Sequence, residues 1–134
     1  MSPSSDYALT LAWFGEQDKP PRRAVLASPS RAAAIGDDPL VAVATIARAE
    51  FDAAVAALEG RDVAFDDGRP STDLDAYAAV VEDGDRVRHA SLGLEAGTLD
   101  HLGAIADALE PAHRAPIDAV AAEARALVGS ASEP

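Results

Sequence analysis

Cysteine is absent from this chain. That excludes disulfides, thiolate metal sites, iron–sulfur clusters and cysteine nucleophiles. Aromatic residues are scarce, with three Phe, two Tyr and one Trp in 134 residues. Lysine occurs once, at Lys19, and 11 basic residues stand against 23 acidic ones, for a net charge of −12. A nucleic-acid backbone is held by clustered Lys and Arg, so the field here has the wrong sign for it. The same field repels anionic membrane surfaces. No run approaches the roughly 18 apolar residues that suggest a membrane-spanning helix. The opening Met1-Ser-Pro-Ser-Ser-Asp6 has no basic segment, and the apolar stretch from Ala8 to Phe14 is short for a signal sequence. The expectation is a cytoplasmic protein with no nucleic-acid or membrane partner, no cofactor and no metal.

What the chain does have is alanine. Its 32 alanines nearly equal the 33 apolar residues of all other types. Each buries one methyl, which predicts a narrow, closely packed core. Leu, Ile, Val and Phe together number 29, just above the share of about 20% below which highly charged chains stay disordered. The acidity reads as a device for solubility; adaptation to high salt is the alternative.

The length suits one domain. Residues 1–6 and 129–134 are small and polar and read as disordered tails around a single domain spanning 7–128. Tyr7 to Phe14 alternates, with Tyr7, Leu9, Leu11 and Trp13 on one side, as in a half-buried strand. Ala24 to Ala27 reads as a short returning strand, Ser28 to Pro39 as irregular, and Leu40 to Ile46 as a strand. Phe51, Val55 and Leu58 then recur at helical spacing, and Gly60 suits a left-handed helix end. Residues 61–73 read as a loop. Asp83-Gly84 marks a two-residue hairpin turn between Asp75–Val81 and Arg86–Leu92. That register sets Val80 opposite Val87 and puts Tyr77, Val81, Ala90 and Leu92 on the face favoured for helix cover. Thr98 is the expected N-cap of a helix carrying Leu99, Leu102, Ile105 and Leu109. Pro111 stops it, and Pro116 opens a last helix through Val128. The order β(β)β-α-ββ-α-α predicts an α+β fold, a largely antiparallel sheet of about 4–5 strands with three helices packed mainly on one face.

Chemistry-bearing patterns are weak. His89, His101 and His113 are the neutral-pH acid–base candidates, but no H-E-x-x-H spacing supports a metal site with Asp100 or Asp107. A Ser28 or Ser91 triad with His101 lacks the G-x-S-x-G elbow. Asp62, Asp66, Asp67, Asp73 and Asp75 surround Gly68 without EF-hand spacing. Lys19-Pro-Pro-Arg22-Arg23 could dock an acidic partner. Trp13 and Phe14 point to opposite faces of their strand, so one is an interface candidate with Arg22 and Arg23. The leading functional expectation is a non-enzymatic protein-binding or self-associating domain. A small-ligand or enzymatic domain, with a pocket between sheet and helices near Tyr77, His89 and His101, is the alternative. A third reading is an acidic inhibitor or immunity-type protein for a basic partner.

Overall fold

Alternation along Tyr7–Phe14 builds the centre of the sheet. In the computed structural model, which describes residues 6–14, 23–35, 41–60, 65–68, 76–84, 86–93 and 96–122, this segment is β1. It pairs antiparallel with β2 (Arg23–Ala27) on one side and β5 (Ala76–Asp83) on the other. β2 leads through α1 (Pro29–Ile35) to β3 (Val41–Thr45), which lies parallel to β2. β6 (Arg86–Gly93) pairs with β5, and β4 (Asp66–Asp67) with β6. Among the described residues six strands run in the order β3-β2-β1-β5-β6-β4. The architecture is mixed α+β, with one parallel pair in an otherwise antiparallel sheet.

Period-two alternation sends Tyr7, Leu9, Leu11, Leu26, Tyr77, Ala79 and Val81 to one face. There they are buried against Phe51, Ala54, Val55 and Leu58 of α2 (Arg48–Glu59) and Leu102 and Ile105 of α3 (Ala96–Asp107). Ile117, Val120 and Ala121 join them from α4, helical over 115–122. A 3-10 turn, Pro111–His113, links α3 to α4. The Tyr77 face is thus the helix-covered one. Arg88 is tolerated at its margin because its guanidinium lies 5.1 Å over the Phe65 ring and 3.6 Å from the Glu59 carboxylate. The opposite face carries Ala8, Val25 and Ala27, which pack with Ala32 and Ile35 of α1 and Val41 and Val43 of β3. Among the described residues three helices therefore cover one face and the short α1 part of the other.

Several details differ from the sequence expectation. Ser28 to Pro39 is not wholly irregular, since Pro29–Ile35 is helical and Ser28 O accepts its first bond from Ala32 N at 2.9 Å. Within the expected loop 61–73, Asp66–Asp67 form a strand. The hairpin turn sits one residue later than expected, so Val80 faces His89 and Glu82 faces Val87. From Ala78 to Asp83 each partner shifts by two, which preserves the faces where a shift of one would have inverted them, and an irregularity between Tyr77 and Ala78 then sets Tyr77 opposite Gly93. Gly84, with φ 62°, takes the conformation that disfavours other residues. Gly60 ends α2 with φ −73°, not left-handed. Thr98 is the third residue of α3 and not its cap. Of the expected tails, residues 1–5 and 129–134 lie outside the described residues. Asp6 is held, its carbonyl accepting from Gly84 N at 2.9 Å and its carboxylate from Ser28 and Ser30.

Candidate functional site

The first turn of α2 is where polar groups from distant parts of the chain converge. Glu50 reaches back to the Ala47 N–H, 3.2 Å from its Oε1, and so satisfies one of the donors that open a helix. Its other oxygen accepts from the Glu110 N–H at 3.1 Å and from His113 Nδ1 at 2.8 Å. Glu110 caps the 3-10 turn with an extended backbone and His113 is the last residue of that turn. One carboxylate thus ties the α3–α4 connection to α2. Burial alone would raise the Glu50 pKa, but the hydrogen bonds from His113, Glu110 N–H and Ala47 N–H outweigh it and hold it below its ordinary value. Because the carboxylate accepts, His113 Nδ1 bears the proton. Ligand atoms of Glu50, Glu110 and His113 all lie within 4.8 Å of one another.

Arg48, two residues earlier, makes a second tie. It forms a two-pronged pair with Asp83 at the end of β5, at 2.8 and 2.7 Å. Its guanidinium also lies 5.6 Å from the Tyr7 ring centre and 5.4 Å from that of Phe51. The hydrogen bond from Arg48 lowers the Asp83 pKa, and that bond likewise raises the Arg48 pKa. The Tyr7 hydroxyl donates to the Ile46 carbonyl at 2.6 Å, fixing the entry to α2. These groups neutralise each other and read as structural.

On the outer side of α2 and α3 runs an open groove of about 490 Å³. Its floor is Ala56, Ala57, Gly60, Gly103 and Ala104, and Asp100 and Asp107 stand along α3 beside it. A Cβ built on Gly103 meets no atom within 4 Å, so the groove lies open there.

The residues proposed from sequence do not gather in one place. Tyr77 is in the core under the helices, whereas His89 pairs with Val80 and so projects from the opposite face. His89 Nδ1 donates to the Gly68 carbonyl at 2.9 Å, holding β4 against β6. His101 is half-buried on α3. The sheet therefore separates Tyr77 from His89. Trp13 and Phe14 end β1 in register with Tyr77 and Ala76, while the expectation for their side chains lies outside the described residues. Arg22 is also outside them, and Arg23 is the exposed first residue of β2. Of the acidic loop, Asp66 and Asp67 are exposed strand residues, and Asp62, Asp73 and Asp75 lie outside the described set.

The residues missed from sequence are Glu50 and Glu110. Glu110-Pro-Ala-His113 is an E-x-x-H spacing, a signal that could have paired His113 with a nearer carboxylate than Asp100 or Asp107. No family of known proteins, no curated protein and no solved structure matches this chain. No helix among the described residues is long and apolar enough to cross a membrane.

Proposed function

We propose that this chain is a cytoplasmic, non-enzymatic binding domain whose α2–α3 groove receives a basic segment of a partner protein. The groove carries the reading. Its small floor residues let a partner's backbone approach closely, and Asp100 and Asp107 place negative charge beside it. The net charge of −12 steers a cationic partner inward and opposes a second copy of this chain. The alternative of a pocket near Tyr77, His89 and His101 loses support because the sheet stands between the first two.

The test is titration of the isotope-labelled protein with a helical Lys/Ala peptide, followed by NMR. Shifts should concentrate at Ala56, Ala57, Gly60, Gly103 and Ala104 and fade as NaCl is raised. Gly103→Leu should fill the groove and weaken binding about tenfold, which is about 1.4 kcal/mol. Shifts spread evenly over the acidic surface, or binding indifferent to Gly103→Leu, would overturn the reading. Light scattering decides the remaining occupant: a dimer whose interface falls on the groove replaces the basic partner with a second copy.

A further inference from the structure

We propose that Glu50, Glu110 and His113 form a binding site for one divalent transition-metal ion, with Zn2+ the best chemical match. The three residues offer two carboxylates and an imidazole, a donor set that suits zinc and its neighbours more than Mg2+ or Ca2+, which take oxygen alone. Zinc bonds to such ligands at about 2.0–2.2 Å, so tetrahedral neighbours stand about 3.3–3.6 Å apart. Glu50 Oε2 and His113 Nδ1 stand 2.8 Å apart, and the ligand atoms of all three residues lie within 4.8 Å of one another. Small side-chain rotations therefore complete the geometry.

Preorganisation strengthens the argument. Glu50 is fixed by the Ala47 N–H on the oxygen that faces away from His113, so its other oxygen is already aimed. Glu110 and His113 are held together by the turn they close, His113 N–H donating to the Glu110 carbonyl at 2.8 Å. The side chains of His113 and Glu50 are 27% and 14% exposed, which leaves a path for the ion and a fourth position for water. On binding, the ion takes the Nδ1 lone pair. The Nδ1 proton of the neutral ring moves to Nε2; from the imidazolium it leaves to solvent. Glu50 Oε2 changes from proton acceptor to metal ligand, and no oxidation state changes. Binding is accordingly weakened by acid.

The experiment is calorimetric titration of the full chain with ZnCl2, with MgCl2 as comparison and CoCl2 absorption as a geometric readout. One equivalent of Zn2+ should bind, Mg2+ should not compete, and Co2+ should give a tetrahedral ligand-field band. Glu110→Gln and His113→Gln should each weaken Zn2+ at least about tenfold, and Asp66→Asn, at an exposed site on β4, should leave it unchanged. Circular dichroism establishes which variants fold; should His113→Gln unfold, Glu110→Gln alone decides. No saturable Zn2+ binding, or saturable binding that Glu110→Gln leaves intact, overturns the proposal.

Discussion

The two faces of the sheet are held by different means. Under α2, α3 and α4 the sheet presents Tyr7, Leu9, Leu11, Leu26 and Tyr77 against Phe51, Leu58, Leu102, Ile105 and Ile117. Under α1 it presents Ala8, Val25 and Ala27 against Ala32 and Ile35. Apolar stabilisation grows with the area removed from water, so the first face carries most of it. The second face is supplemented by polar links: Arg31 to the buried Glu82 at 3.0 Å, and Ser30 to Asp6. An alanine-rich chain has few large side chains to place. They are concentrated on one side, and the other is closed by methyls and charges.

Four changes test that contrast. Leu9, 0% exposed on the helix-covered face, should cost about 2–5 kcal/mol when changed to Ala. Val25→Ala on the α1 face removes two methyl-sized groups and should cost about 1.5–2 kcal/mol. Urea unfolding measures both, and equal losses would erase the distinction between faces. Glu50→Gln should cost about 1 kcal/mol by weakening the tie to His113. It should also change the pH profile. The folded-state pKa of Glu50 is lowered, so its contribution is complete above about pH 4.3 and lost as pH falls through the folded value. The variant should flatten part of that acid limb; an unaltered limb would assign it to Asp83, which is lowered by Arg48. Smallest is Arg31→Met, since Arg31 is 37% exposed and water screens its pair with Glu82. A loss of a few tenths to about 1 kcal/mol is expected in thermal unfolding. A loss matching Leu9→Ala would mean that the ion pair, not the apolar layer, dominates.

Most of the fold was legible where side-chain periodicity was strong. Tyr7–Phe14, Phe51–Leu58 and the Asp-Gly hairpin each announced their element, and together they gave the α+β class. α1 was harder to see, because Pro-Ser-Arg-Ala-Ala-Ala-Ile has no stripe of large residues and buries none. Ser28 ahead of it and Pro29 at its first position were the available signal. β4 is two aspartates long, too short for any period to register. The tie between Glu50 and His113 was hidden for a different reason. Glu50 and His113 are 63 residues apart, and Glu50 resembles any acidic residue in a helix's first turn. Only the packing of the 3-10 turn on α2 brings them together.

The two margins of the sheet are unequal. β4, a pair of exposed aspartates, ends one margin, and the Val-Ala-Val-Ala-Thr run of β3 ends the other. Charged, very short border strands resist the addition of a further strand, whereas longer apolar ones invite it. Two copies annealed through β3 would therefore expose only their short β4 borders, and such a pair would resist extension into a fibre.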